Sequence, residues 1–260
     1  MEIICYAGGR GEYPENTIEG IRNCQSINSN WRIEIDLQMT KDGEIIVFHD
    51  DTTDRITELK AKVNELNFIQ ISQLNAGYHF LKDSKFIYRS TPIKIPKLEE
   101  VFYDFPTLNY LLDVHTNNIL SVDKIINIVE SRLKVTNNII IVSKYDYIIN
   151  RFKKLKPTWI YGASTIEAKA IVYSSYARLD NFFALESDIL MLPMYLGKMK
   201  ILSNRIINHV HQRDKKIWAW LREGKSVECI NTIEELNKFK KLGIDGVFTD
   251  YPNNINWFNL

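Results

Sequence analysis

The sequence predicts a single (β/α)8 barrel, and three observations carry that expectation. Short apolar runs of strand character alternate with amphipathic helical stretches almost to the C-terminal end. Eight such runs can be placed, at 3–7, 32–37, 109–114, 138–143, 158–163, 188–193, 216–221 and 246–249. A chain of 260 residues is also the ordinary length of one such barrel.

The first run, Ile3-Ile4-Cys5-Tyr6-Ala7, is apolar throughout, as a strand covered on both faces should be. Asn16-Thr17-Ile18-Glu19 reads as a helix start, with Asn16 as the cap, a Glu three residues on, and Ile18, Ile21 and Cys24 on one face. The second run is different in kind. In Arg32–Leu37 the apolar Ile33, Ile35 and Leu37 alternate with Glu34 and Asp36, so two acids share one face of the strand. Burying them is unfavourable unless something compensates the charge, and a divalent cation is the usual partner. Lys41-Asp42-Gly43 is too short for a crossover, so Ile45–Asp50 must return antiparallel. With Asp42 and Gly43 as the central turn pair, Lys41 faces Glu44 and Asp36 faces His49. Residues 44–105 exceed an ordinary connection and predict an insert over one mouth of the barrel. Beyond it, helices are expected near 122–134, 146–155, 166–176, 203–213 and 232–242, with two apolar runs in 178–193 competing to be the sixth strand.

Charge and cysteine content narrow the function. Lys and Arg number 33 against 32 Asp and Glu, which leaves no electrostatic footprint for nucleic acid or anionic lipid. The first residues carry no basic region, long apolar core or cleavage site, and no stretch reaches the length of a membrane span. Cys5, Cys24 and Cys229 are odd in number and far apart, against both a disulfide framework and a zinc ribbon. A cytoplasmic location is the expectation.

In an eight-stranded barrel the reacting groups gather at the C-terminal strand ends. Those ends carry Gly9-Arg10-Gly11, Glu34 and Asp36, Asp113 with His115, Ser143-Lys144, Trp220, and Thr249-Asp250. Arg10 offers planar donors for a phosphate, and Asp113 completes three carboxylates suited to a hard cation. His79, His209 and His211 are expected to lie outside the chemistry, and Asp250 to serve as a structural hydrogen-bond acceptor.

With these segments in view, the chain resembles the glycerophosphodiester phosphodiesterase family of the phosphatidylinositol-phospholipase-C-like barrels. The matching segments are Pro14-Glu15-Asn16-Thr17, the run from Glu34 to Thr57, Leu74-Asn75-Ala76-Gly77, Ile95–Val101 and Gly243–Pro252. The resemblance implies a hydrolase of glycerol-bearing phosphodiesters, small molecule or polymer, that uses calcium or magnesium. It implies that Glu34, Asp36 and Asp113 hold the metal, that Arg10 grips the phosphate and that His49 protonates the leaving alcohol. Trp220 would line the substrate pocket.

Three departures accompany the resemblance. Family members open with Ala-His-Arg-Gly, whose His is a general base; here the run is Ala7-Gly8-Gly9-Arg10-Gly11, with Gly9 in the expected place of the imidazole. A family Glu-x-Lys is Asp113-Val114-His115, so His115 is a candidate phosphate ligand or substitute base. Ser143-Lys144 stands where Ser-Phe is frequent, and Lys144 is a candidate replacement cation. The resulting expectation is a metal-dependent phosphodiesterase acting on a glycerol- or polyol-phosphate diester. The alternatives are a transferase or lyase-like relative, or a phosphate-ester binder that lost its base.

Overall fold

The computed structural model describes residues 1–255 except 134–137, 180, 181, 184 and 225. In chain order the strands are β1 (Glu2–Cys5), β2 (Arg32–Met39) with its antiparallel arm β3 (Ile45–Val47), β4 (Asn109–Val114), β5 (Ile139–Val142), β6 (Ile160–Tyr161), β7 (Ile189–Leu196) with its arm β8 (Met199–Lys200), β9 (Lys216–Glu223) with its arm β10 (Val227–Glu228), and β11 (Gly246–Thr249). Leaving out the three arms, eight parallel strands run in the order β6-β5-β4-β2-β1-β11-β9-β7 among the described residues. A parallel bridge from Gly162 to Ile189 closes the ring. The expected barrel is therefore the observed one.

The helices are α1 (Ile18–Ile27), α2 (Phe68–Ile71), α3 (Leu98–Asp104), α4 (Leu120–Arg132), α5 (Asp146–Leu155), α6 (Thr165–Tyr176), α7 (Asn204–His211), α8 (Ile233–Lys241) and α9 (Pro252–Ile255). Period-two alternation sorts the strands into two apolar layers. Ile33, Ile35, Leu37 and Leu112 face outward with the helix residues Ile125, Val129 and Phe152, while Ile4, Leu111, Ile140, Trp218 and Phe248 fill the barrel interior. Fully burying each aliphatic side chain contributes roughly 1.5–3 kcal/mol. The outward face of β2 thus helps offset the cost of burying Glu34 and Asp36 on its inward face.

The insert forms a small core of its own around Ile46, Phe48, Ile56, Val63, Ile71, Leu74, Ile93 and Ile95. Asn75 ties it together, donating to the Tyr88 carbonyl and accepting from the amides of Gly77 and Ile93.

Several expected details need correction. The hairpin register is one residue off: Leu37 pairs with Val47 and Met39 with Ile45, and the Phe48 amide donates to the Asp36 carbonyl, so Asp36 opposes Phe48 rather than His49. The turn has three residues between Thr40 and Glu44, with Gly43 at φ +82°. A left-handed Gly ending a three-residue loop is a standard hairpin closure, and the Asp42 carboxylate stabilises it by accepting from the Thr40 hydroxyl at 2.6 Å. Asn16 is not the cap of α1; Thr17 is, its hydroxyl accepting from the Gly20 amide. The sixth barrel strand takes the second of the two competing runs, as β7. The run at 158–163 keeps only Ile160–Tyr161 as strand, and position 134 of the helix expected near 122–134 lies outside the described residues. None of the described helices is long and apolar enough to cross a membrane, and Cys5, Cys24 and Cys229 are all free and buried.

Candidate functional site

Parallel register assembles the mouth. β2 and β4 pair Glu34 with Leu111 and Asp36 with Asp113, while β1 pairs Cys5 with Ile33, so residue 6 is level with Glu34. The carboxylates of Glu34, Asp36 and Asp113 offer oxygens all within 4.8 Å of one another. Glu34 and Asp36 are almost wholly buried, at 2% and 1% exposure, and nothing apolar would recommend them there. Burial, reinforced by the charges of Asp36 and Asp113, pushes the Glu34 carboxyl well above its usual range, against the amide of Ala7 that donates to it at 2.5 Å. An all-oxygen cluster under this repulsion fits a hard divalent cation.

Asp36 is treated differently. Burial alone would raise it, yet the His115 imidazole, the nearby His49 and the Asn16 amide hold it below the usual carboxylate range. Asn16, at φ +60°, clasps Asp36 twice: its Nδ2 donates to the carboxylate at 2.7 Å and its Oδ1 accepts from the Asp36 amide at 3.0 Å. His115 Nε2 lies 3.0 Å from Asp36 Oδ1 and 3.3 Å from Asp113 Oδ2. Burial works against its charge, but these two acids push it up to about 11.

His49 follows β3 and reaches the same corner. Its ring centroid is 4.4 Å from that of His115, and a ligating atom of His49 shares a 4.8 Å cluster with Asp36 and His115. Nδ1 is held by Asp50 at 2.6 Å; Asp50 in turn takes Arg55 at 2.5 Å, and Arg55 forks onto both oxygens of Glu15. Desolvation lowers the imidazole, yet the Asp50 bond and the Asp36 charge leave it above its ordinary value. Asp50, despite partial burial, is pulled down to about 2 by His49 and Arg55. A charged chain of four residues thus fixes one ring nitrogen and leaves Nε2 for the mouth.

Among the described residues the β1 side has no equivalent chain. A tight turn at Tyr6–Gly8, with Ala7 at φ +45°, aims the Ala7 amide at Glu34. Gly9, expected to mark the missing imidazole, is turned away: a Cβ there would meet Cys24 Sγ at 2.9 Å and Pro252 Cγ at 3.2 Å. Tyr6 is the side chain beside the acids. It packs on the barrel-interior cluster, edge-on to Phe248 at 6.2 Å, and burial together with Asp36 and Glu34 raises its phenol far above the usual tyrosine value. A phenol in that state carries a proton and cannot take one.

The remaining expected residues divide. Arg10 stacks over Tyr6 at 4.4 Å, but its Nε is paired with Asp250 at 2.6 Å and its Nη2 donates to the Val227 carbonyl at 2.7 Å. Asp250 is the structural acceptor expected of it, also receiving Asn231. Trp220 stands edge-on to Phe248 at 5.7 Å, with no hydrogen-bond partner for its buried indole nitrogen among the described residues. Lys144 is exposed, its ammonium 5.0 Å from the Tyr145 ring centroid, and none of its described contacts reaches the three acids. A groove of about 690 Å³ between α1 and α3 shares no residue with this cluster, so volume does not mark the site. Tyr6 and the Glu15–Arg55 pair have no site role in the sequence reading, and Asn16 has only that of a helix cap; the matched segments Pro14–Thr17 and Glu34–Thr57 contain three of these four residues.

Comparison with known proteins places the chain in a family. Residues 7–254 match the model of the glycerophosphoryl diester phosphodiesterase family. A glycerophosphodiester phosphodiesterase of Caldanaerobacter subterraneus is 25% identical, covering 97% of this chain and 95% of its own length. A human lysophospholipase D is 21% identical, covering 98% and 85%. Among solved structures, the glycerophosphoryl diester phosphodiesterase domain of a Mycobacterium tuberculosis protein superposes with a TM-score of 0.82 at 16% identity, covering 100% and 99%. An Oleispira antarctica phosphodiesterase, in complex with the product sn-glycerol-3-phosphate, gives 0.76 at 19% identity, covering 99% and 96%. With its barrel, its strand-end acids and a family match along nearly its whole length, the chain belongs to the glycerophosphoryl diester phosphodiesterase family of hydrolases.

Proposed function

We propose that this protein hydrolyses phosphodiesters of glycerol or a related polyol at the barrel mouth, releasing an alcohol and a phosphomonoester. The observation that carries the reading is His49: an imidazole oriented by a carboxylate, raised above its ordinary value, beside three acids suited to a cation. The glycerol phosphate found with the Oleispira phosphodiesterase supplies the substrate class. Glu34, Asp36 and Asp113 would hold calcium or magnesium, and such an ion neutralises phosphate oxygens and acidifies a bound hydroxyl.

The chain's own groups would do the rest. His49 Nε2 gives its proton to the leaving oxygen as the phosphorus–oxygen bond breaks, while Asp50 keeps Nδ1 occupied and the ring aimed. Asn16 fixes one oxygen of Asp36 and the Ala7 amide one oxygen of Glu34, so neither carboxylate rotates freely. His115 supplies positive charge near the phosphate in place of a lysine, and Trp220 offers an apolar wall. Arg10 contributes charge at the rim through the nitrogen that Asp250 and Val227 do not take.

Tyr6 favours a second reading. With a protonated phenol where an imidazole would accept the nucleophile's proton, water attack is slow, and a route in which a substrate hydroxyl attacks phosphorus, or ester binding without turnover, becomes competitive. Incubation with glycerophosphocholine, other glycerophosphodiesters and polyol-phosphate polymers, with Mg2+ or Ca2+ and product identification by 31P NMR, tests the proposal. Phosphomonoester release supports hydrolysis; cyclic or transferred phosphate would replace it with the attack by a substrate hydroxyl, and bound but unaltered ester would leave a binding protein.

A further inference from the structure

We propose that the mouth carries a second cation position, formed by Asp36, His49 and His115, that takes a nitrogen-accepting transition-metal ion of the zinc, cobalt or manganese class. It adjoins the all-oxygen position of Glu34, Asp36 and Asp113 and shares Asp36 with it. The proposal rests on the hydrolase reading for the location of the site, and not for its chemistry.

Three observations support it. The candidate ligand atoms of Asp36, His49 and His115 all lie within 4.8 Å of one another without rearrangement. Asp36 Oδ1 and His115 Nε2 are 3.0 Å apart, with Asp113 Oδ2 at 3.3 Å from the same nitrogen. Ligands bound to one ion at about 2.0–2.2 Å are separated by roughly 3 Å, so this spacing serves a shared ion as well as a hydrogen bond. Finally, His49 gives Nδ1 to the Asp50 carboxylate at 2.6 Å, the outer arrangement that fixes a ligating imidazole and raises its basicity.

Chemistry then separates the two positions. Carboxylates suit calcium and magnesium, whereas imidazole pairs select the later divalent ions. The imidazole of His115 offers a donor nitrogen where an ammonium would repel an ion, so this chain has a choice of cation that a lysine at that place would forbid. An ion at the second position also occupies His49 Nε2, the nitrogen that carries the leaving-group proton, and releases to solvent the proton that His115 Nε2 holds between Asp36 and Asp113. Binding there and protonating an alcohol are therefore alternative uses of the same side chain.

Cobalt titration of the folded, chelator-treated protein tests this directly. The expected result is a visible d–d absorption, stronger than that of aqueous cobalt, that saturates at one equivalent and is displaced by Zn2+ but not by Ca2+. His115→Asn and His49→Asn should each remove it, while Glu34→Gln, outside the triad, should keep it; circular dichroism confirms folding, and His115→Gln and His49→Gln stand in for either variant that does not fold. Wild-type protein without the absorption, or an absorption that survives both histidine substitutions, would overturn the inference. The two readings fail separately: Mg2+-supported hydrolysis without the cobalt signal sinks only the second position, and the signal without turnover under any cation sinks only the hydrolase.

Discussion

The two rims of the barrel mouth have been treated unequally. On the β3 side, His49, Asp50, Arg55 and Glu15 form an unbroken chain of charge-assisted contacts that ties the hairpin and insert back to the start of α1. On the β1 side, Tyr6 sits where the register puts a side chain level with Glu34, Ala7 follows in a left-handed turn, and Gly8 and Gly9 carry no side chain at all. Under the proposed function, one rim gives a proton to a leaving group. The other is built to hold a carboxylate still, through the Ala7 amide, and cannot accept a proton. If the proposed function holds, departing-group chemistry and nucleophile activation are separable on this barrel, because they hang from different strands and share only the acids between them.

The largest expected effect breaks the β3 rim. His49→Ala should lower turnover by about 10²–10⁴-fold, the range for loss of a general acid, with the thermal midpoint little changed because the ring is partly exposed and its loss opens no core cavity. Tyr6→Phe, on the other rim, should change turnover only slightly, since a phenol that never loses its proton takes none. Equal losses from the two substitutions would show that the rims are not separate.

The next effect rebuilds the β1 rim. Tyr6→His places an imidazole beside Glu34 and Asp36 and should raise hydrolysis by a factor on the order of 10². Gly9→His, although it restores the family residue type near its expected place, should add nothing. It forces a side chain at φ +81° against Cys24 and Pro252, at a cost of about 1–3 kcal/mol. Paired assays and melts on the two variants decide which residue occupies the position of the lost base, and a gain from Gly9→His would reverse the assignment.

These two positions also show what the sequence makes legible. The barrel is legible because short apolar runs of strand character alternate with amphipathic helical stretches, and β2 stands out because period two puts Glu34 and Asp36 on one face. Asp113 and His115 came into view with them, as the ends of the next strand. What failed depended on single-residue geometry. The hairpin slipped by one because a three-residue loop and a two-residue turn both fit Lys41-Asp42-Gly43, and only the backbone at Gly43 distinguishes them. Asn16 looked like a cap because its neighbour Thr17 has the same chemistry; its positive φ, which turns it onto Asp36, has no signature in composition. Tyr6 was hidden for a third reason: a side chain becomes part of a mouth through the register of two parallel strands, and register is not written locally.

A smaller effect tests the acids that both rims share. Saturating magnesium at about a hundred times its Kd should stabilise the fold by about 2.7 kcal/mol, or some 2–4 °C per kcal/mol for a chain of this size. Glu34→Ala combined with Asp36→Ala should erase that shift, while the buried repulsion it relieves is set against the partners lost by the Ala7 amide, Asn16 and His115. Identical Ca2+ and Mg2+ melts for wild type and double variant would remove the cation from the carboxylate position.

The smallest effect concerns the link that aims His49. Asp50 raises the imidazole, so the group contributes stability that is complete below the ordinary imidazole value near 6.5 and lost as the pH rises through the higher folded value. A leaving-group acid must be protonated, so the alkaline limb of kcat/KM should also lie above that ordinary value. Asp50→Asn keeps a hydrogen-bonding side chain of the same shape but removes the charge. The limb should then move to lower pH, and the variant's stability deficit should be larger at pH 6 than at pH 9, because only the charged ring misses its partner. Part of that deficit belongs to Arg55, which loses one of its two acids, and this part does not vary between those pH values, since Arg55 stays charged across them. Measuring melts and pH profiles together therefore isolates the His49 contribution. An alkaline limb that stays in place in Asp50→Asn would assign that limb to some other group and leave Asp50 as a tether for the insert alone.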